Sequence, residues 1–291
     1  MIESLALDKR RLRRSFAQAA DTYDAVAVLQ REIADRLLAR LEVIKLVPRW
    51  ILDLGCGTGY DLRRLSRRYP RAQVLGLDIA ETMARHARRH AGLWRRITGR
   101  CQFACGDAER LPVATASVDM VVSNLALQWC DPPAVFAEAR RVLRPGGLLM
   151  FTTFGPDTLR ELRAAWHAAD DAAHVHSFID MHDLGDMLLH AGFADPVMDM
   201  ETFTLTYPDV RGVMRDIKQL GAHNAAVSRA RGLTGKARFA RFRAAYEALA
   251  QDGKIPATYE AVYGHAWAPE TARTGEAVAV PVSSIMRRKH V

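Results

Sequence analysis

Ile51-Leu52-Asp53-Leu54-Gly55-Cys56-Gly57-Thr58-Gly59 is a short apolar run that breaks into three alternate glycines, and a second apolar run, Val74-Leu75-Gly76-Leu77-Asp78, follows it. Glycine lacks the Cβ that would collide with a closely approaching ligand, so a strand that ends this way prepares a binding loop. Asp78 lies 19 residues after Gly59 and can accept hydrogen bonds from both hydroxyls of a ribose. Together the two runs predict a nucleoside-containing cofactor, held in the crevice at the carboxyl ends of parallel strands. Asp53, Gly55, Cys56, Gly57, Gly59, Asp78 and Ile79 are the candidate contacts.

Glycine spacing narrows the cofactor. Dinucleotide sites use G-x-G-x-x-G, with the third glycine allowing tight packing of helix on strand and the helix amino end facing a pyrophosphate. Here the third glycine comes one residue early and bulky Tyr60 follows it; no G-x-x-x-x-G-K-[ST] loop is present either. Acidic Asp53 suits a cofactor with cationic groups better than one with phosphates. The pattern D-x-G-x-G-x-G resembles motif I of the class I S-adenosylmethionine-dependent methyltransferases. Further elements follow in that family's order: Cys105-Gly106-Asp107-Ala108 closes a third strand, and Val118 to Asn124 forms a fourth that ends in a polar residue. Arg141-Val142-Leu143-Arg144-Pro145-Gly146-Gly147 then supplies a helix stop and turn before a fifth strand. The resemblance implies a Rossmann-like α/β fold, a seven-stranded, mostly parallel sheet with an antiparallel last strand and helices on both faces. It also implies that Asp107 and Ala108 contact the adenine and that Asn124 lies near the methyl donor.

Composition bounds the rest. With 291 residues, 49% apolar and 25% charged, the chain is long enough for a sizeable core and ordinary for a globular protein. No run approaches the ~18 apolar residues of a membrane span, and the amino terminus lacks an apolar signal core, so a cytoplasmic protein is expected. The four cysteines read as reduced thiols, with Cys101 and Cys105 on one face of a strand. His174, His176 and His182 lack the supporting spacing of a metal site. Between Arg211 and Arg243 nine basic residues face one acid, a local excess equal to the net +8 of the whole chain. Such a patch steers anionic partners, or else is a solvated helical face.

Apolar residues at helical spacing, Leu29, Ile33, Leu37 and Leu41, precede the first strand, and residues 1–45 are expected to form a helical lid over the cofactor crevice. Residues 46–207 and 257–268 would form the cofactor-binding core. Asp157 is a plausible cap for a helix after Phe154, and Ser177 to Gly192 reads as another helix. Val197 to Tyr207 and Thr258 to Trp267 read as strands six and seven. The basic segment 208–256 between them is longer than a hairpin needs and is expected to be a helical insertion that meets substrate. Phe239, Phe242, Tyr246 and Leu249 share a helical face there, which leaves Arg238 and Arg241 for a partner. Residues 269–291 read as a poorly ordered tail.

The additions to the core carry a narrower resemblance. Arg14-Ser15-Phe16, Tyr23-Asp24, Leu127-Gln128-Trp129-Cys130 and Phe154-Gly155-Pro156-Asp157-Thr158-Leu159 are among its motifs. Leu220-Gly221-Ala222-His223-Asn224, Gly232-Leu233-Thr234-Gly235-Lys236, Ala257-Thr258-Tyr259-Glu260 and Gly264-His265-Ala266-Trp267 complete them. These are similar to the malonyl-acyl carrier protein O-methyltransferase family of biotin synthesis. The likeness implies methylation of the free carboxylate of a malonyl thioester, carried on acyl carrier protein or on coenzyme A; a monomer that binds neither nucleic acid nor membrane is the default expectation. An acidic carrier would suit the basic segment. A carboxylate is already ionised at neutral pH, so the reaction needs alignment and desolvation more than a general base. Arg14, Lys218 and His223 are candidates to orient the carboxylate, with Tyr23 and Trp129 as walls near the methyl; each also has a purely structural reading. Other readings stay open: an arginine hydroxylase resembling a complex I assembly factor, a methyltransferase for another small acid, or a nucleic-acid-binding module in which Phe239 and Phe242 stack on bases.

Overall fold

The computed structural model describes residues 7–92, 97–170, 172, 174, 175, 177–222 and 235–270. Seven strands are present: β1 Trp50–Leu54, β2 Gln73–Asp78, β3 Cys101–Cys105, β4 Val118–Ser123, β5 Leu143–Phe154, β6 Ala194–Tyr207 and β7 Ile255–Trp267. They form one sheet in the order β3-β2-β1-β4-β5-β7-β6. The first five run parallel, while β7 lies antiparallel between β5 and β6. The class I methyltransferase arrangement expected from the sequence is thus present. β1 is apolar nearly throughout because helices cover both faces of a parallel sheet, and Ile51, Leu52 and Leu54 are buried. Strand order reverses between β1 and β4, and the crevice at their carboxyl ends is where such sheets bind ligands.

The helices before the sheet are α1 Lys9–Ala19, α2 Tyr23–Val26 and α3 Val28–Ala39. Leu29, Ile33, Leu37 and Leu41 are buried in the main core with Ile51, Leu62 and Val74. That face therefore belongs to the body of the domain, and it is α1 and α2 that reach the crevice. Arg36 and Arg40 carry α3 onto the last strands: both pair with Glu201, and Arg40 also meets Asp199 at 2.5 Å and lies 3.8 Å from the Tyr263 ring centroid.

Within the sheet follow α4 Tyr60–Arg68, α5 Glu81–His90, α6 Pro132–Val142, α7 Arg160–His167 and α8 Met181–His190, and between the last two strands α9 Val210–Gln219 and α10 Lys236–Glu247. Asp157 does not cap α7, which starts at Arg160 after Leu159 in the left-handed region at φ 57°. The stretch before it is instead held by β7. Glu260 accepts from the Asp157 amide at 2.8 Å, Thr158 and Glu260 exchange two bonds, and Glu161 accepts from the Thr258 amide at 3.0 Å. Two motifs about 100 residues apart thus form one hydrogen-bonded unit. α8 begins at Met181 rather than Ser177, because Asp180 supplies the cap that accepts from the His182 amide.

Phe242 and Tyr246 are fully buried on α10, but Leu249 lies past the helix end and is 39% exposed. Trp166 is stacked between His174, at 3.7 Å, and Phe242, at 3.9 Å. Arg238 pairs with Asp170 at 3.2 Å and Arg241 donates to the Ala169 carbonyl at 3.0 Å, while Arg241 stays exposed and Arg238 half-buried. These side chains fasten α10 to α7, and the buried ring of Phe242 removes one of the two bases for a nucleic-acid reading. Cys101 is buried, whereas Cys105 ends its strand exposed. Residues 271–291, expected as a disordered tail, lie outside the described residues.

Candidate functional site

The glycine loop has the backbone geometry its sequence calls for. Gly55, Gly57 and Gly59 adopt φ of 71°, 50° and 85°. A Cβ on Gly55 would stand 2.4 Å from that of Ala126, and one on Gly59 would stand 3.0 Å from Ala87. The amides of Gly55 and Cys56 both donate to the Leu77 carbonyl, at 2.8 and 3.1 Å, so the loop is stitched to the end of β2. Asp78 completes the junction: Oδ2 accepts from the Gly57 amide at 3.0 Å and Oδ1 from the Ala80 amide at 2.8 Å. Burial pushes its carboxyl up to about 6 against the pull of those two amides.

The loop and Asp78 open into a partly open cavity. Gly55, Gly57, Ile79, Asp107, Ala108, Asn124, Tyr23 and Trp129, all anticipated, are among its lining residues. Asp53, Cys56 and Gly59 are not; they stand behind the loop. Asp53 is buried, and among the described residues neither carboxylate oxygen has a hydrogen-bond partner; its carboxyl is pushed well up by burial and by the neighbouring negative charges of Asp61 and Asp78. Asp61, unremarked in the sequence, is also buried and is pushed up to about 7, chiefly by burial. Buried carboxyl groups beneath a glycine cradle, which a nearby cation would help to ionise, fit a cationic sulfonium cofactor with a ribose diol, and so fit S-adenosylmethionine. Burial pushes the Cys130 thiol in the same cavity up to about 12 and keeps it protonated.

One wall comes from the amino-terminal helices. Lys9, Leu12 and Phe16 of α1 face the cavity at i, i+3 and i+7, one side of a helix. Lys9 ties α1 across the crevice through ion pairs with Asp107 at 2.9 Å and Glu109 at 2.6 Å. Arg14 falls on the opposite side of that helix, is exposed, and does not reach the cavity. Both belong to one basic run, and the rotation of α1 against the sheet is what turns Lys9 rather than Arg14 toward the cavity. Tyr23 is held among Asp78, Asp61 and Asp24, and burial followed by these charges pushes its hydroxyl upward. Trp129 packs edge-on against Phe16 with ring centroids 5.6 Å apart.

Trp129 also lines a second, larger cleft. Its walls are mainly apolar, with Phe154, Leu159, Leu162, Met214 and Ile217 prominent, and Lys218 stands exposed at its rim. The sequence identified Lys218 but gave no sign of the cleft, which assembles α3, α7 and α9 with β7. Leu125 and Leu159, one in each cavity, hold positive φ of 50° and 57°. His223 lies outside the described residues, as does His176. His174 and His182 pair with Asp170 at 2.8 Å and Asp180 at 2.7 Å. Among the described residues no group of three or more such side chains could hold a metal ion, and no helix is long and apolar enough to cross a membrane.

Comparison with known proteins agrees with this geometry. The pattern of a family described as "Methyltransferase domain" matches residues 52–151, from the glycine loop to β5. The chain is 54% identical over 282 residues to the malonyl-acyl carrier protein O-methyltransferase of Gallionella capsiferriformans, covering 95% of this chain and 97% of the relative. It is 55% identical over 274 residues to the protein of the same name from Laribacter hongkongensis, with 92% of each covered. Among solved structures, the YcgJ protein of Bacillus subtilis superposes with a TM-score of 0.57 at 16% identity, covering 81% of this chain and 99% of that one, a likeness of fold.

Proposed function

The chain belongs to the malonyl-acyl carrier protein O-methyltransferase family, and from that premise we propose that it methylates the free carboxylate of a malonyl thioester on acyl carrier protein. The methyl ester would mask the charge and serve an early step of biotin synthesis. The observation that carries the reading is the shared wall at Trp129, where the cofactor cavity meets a mainly apolar cleft that would take a thioester arm.

Asp78 would hold the ribose diol, Asp107 and Ala108 would flank the base, and buried Asp53 and Asp61 would favour the cationic end of the cofactor. When bound, S-adenosylmethionine supplies a methyl carbon on a sulfonium; its transfer to a carboxylate oxygen cancels one positive and one negative charge and leaves a thioether and an ester. The chain itself aligns and dries the site. Leu12, Phe16 and Trp129 exclude water, and Tyr23 narrows the space beside Asp78. No residue need remove a proton, because a carboxylic acid of pKa near ~4 is ionised at neutral pH.

Arg211, Arg215 and Lys218 are exposed on α9 next to the cleft, which supports an acidic carrier as the donor of the arm. The reading takes the protein as a cytoplasmic monomer. Incubation with labelled S-adenosylmethionine and malonyl-acyl carrier protein, malonyl-coenzyme A or acetyl-acyl carrier protein tests it. Label should appear in the malonyl methyl ester and be absent with acetyl; no transfer to either malonyl thioester, by protein that binds the cofactor, rules the reading out.

A further inference from the structure

A cleft that accepts a free carboxylate needs a donor to recognise it. Of its polar groups besides the indoles of Trp129 and Trp166, the Tyr259 hydroxyl is engaged with Tyr207. Thr158 is buried and its hydroxyl is spent, donating to the Glu260 carbonyl at 3.2 Å and accepting from the Glu260 amide at 3.0 Å. His174 is stacked on Trp166 and paired with Asp170 at 2.8 Å. Lys218 is an exposed cation at the rim, where its charge is hydrated and can meet a carrier surface. Gln30 remains. It lines the cleft beside Trp129, and its Oε1 is buried with no hydrogen-bond partner among the described residues. A buried amide oxygen without a partner costs free energy in the empty cleft, a cost that a polar ligand group reaching the same place would relieve.

Its position is fixed by a short relay from the cofactor cavity. The Leu125 amide donates to Thr152 Oγ1 at 2.9 Å, Thr152 donates to Asn124 Oδ1 at 2.6 Å, and Asn124 Nδ2 donates to the Gln30 carbonyl at 3.1 Å. Asn124 and Leu125 line the cofactor cavity, so Gln30 is anchored at the join of the two spaces.

We propose that the side-chain amide of Gln30 is the specificity-determining group that donates to the acceptor's free carboxylate and orients it toward the cofactor cavity. The inference rests on the methyl-transfer reading above. A half-turn about the terminal torsion, which is soft in glutamine, brings Nε2 to the place that Oε1 holds. A neutral amide suits the reaction better than lysine or arginine: it discriminates a carboxylate from an acetyl methyl group, yet leaves most of the negative charge on the attacking oxygen. After methylation the ester oxygens are weaker acceptors, so the same contact favours release of product over retention.

The test is steady-state kinetics of wild type, Gln30→Met and Gln30→Glu on malonyl-acyl carrier protein, with cofactor binding by calorimetry and thermal unfolding alongside. Gln30→Met keeps the length and removes the donor. Its kcat/KM should fall about 10- to 100-fold, as expected for one hydrogen bond to a charged group, while cofactor affinity stays within about twofold. Its Tm should hold or rise, since an unpartnered buried polar group is gone; a merely structural residue would lower it. Gln30→Glu should be the poorer enzyme at pH 7.5, and should recover as the pH falls and the carboxyl becomes a donor, a trend wild type lacks. Undiminished kcat/KM in Gln30→Met, a fall that tracks loss of Tm and cofactor affinity, or a Gln30→Glu profile parallel to wild type overturns the assignment. Wild type that methylates no malonyl thioester overturns the acceptor reading and Gln30 with it, whereas active wild type beside an equally active Gln30→Met overturns Gln30 alone.

Discussion

Replacing Asp78 by asparagine separates the binding role of this carboxylate from its role in the fold. In the wild type, burial pushes the carboxyl up to about 6. The folded group therefore holds its proton more tightly than the unfolded one, near ~4, and its contribution to stability is fully present below about pH 4 and lost as the pH rises through about 6. At pH 7 the ionised side chain costs the cofactor-free protein about 3 kcal/mol. Asparagine removes that cost but leaves one of the two amides, Gly57 at 3.0 Å or Ala80 at 2.8 Å, facing an NH₂ group. That mismatch costs about 1–3 kcal/mol, so the stability of the variant at pH 7 should be equal to wild type or higher by up to about 2 kcal/mol. Binding should behave differently. Loss of the charged acceptor for the ribose diol is worth about 1.5–3 kcal/mol, or roughly 10- to 150-fold in Kd. A second readout is the pH dependence. Only the ionised fraction of Asp78 is competent, so wild-type affinity should weaken about tenfold from pH 7 to pH 5, and that slope should vanish in Asp78→Asn. Titration calorimetry with 5′-deoxy-5′-methylthioadenosine, which keeps the diol and adenine without the amino-acid charges, isolates the effect. Unchanged Kd in the variant, or a loss of affinity accompanied by a fall in Tm of more than about 5 °C, would refute the reasoning.

Gly55→Ala should weaken cofactor binding more than tenfold and lower Tm by several degrees, because its Cβ would meet Ala126 at 2.4 Å in a backbone at φ 71°; calorimetry and thermal unfolding check both. Trp129→Phe should reduce kcat/KM for the acceptor by about 10- to 100-fold while cofactor Kd changes less than about threefold, since it loosens alignment at the join of the cavities; equal losses in both would contradict this. Gly264→Ala should destabilise the sheet by about 3 kcal/mol or more, as its Cβ would fall 2.3 Å from the Phe151 ring, and Phe151→Leu should restore part of the Tm in the double variant.

Much of the cofactor side was legible because it is local. Asp53 to Gly59 and Asp78 lie at the ends of consecutive strands, and a parallel pairing of Leu54 with Leu77 brings them together without further information. Even so, the sequence could not divide that set into residues that face the cavity, such as Gly57, and residues behind it, such as Asp53. Lys9 lines the cavity and Arg14 does not, for a similar reason: both are basic residues of one amphipathic helix, and the docking of α1 decides which points inward. Asp157 looked like a cap because it precedes a helix, but Glu260, from a strand far along the chain, takes its amide.

By itself the sequence determined the strand order class, the cofactor and the family, because each depends on short-range signals: apolar period, glycine positions and motifs of a few residues. Only the tertiary structure decided that α3 is core while α1 is wall, that Arg238 and Arg241 are tied down, and that Gln30 meets Trp129 in one cleft. Those facts depend on how elements far apart in sequence rotate and pack against one another to bury apolar surface, and a single side chain's direction is the last thing that packing settles.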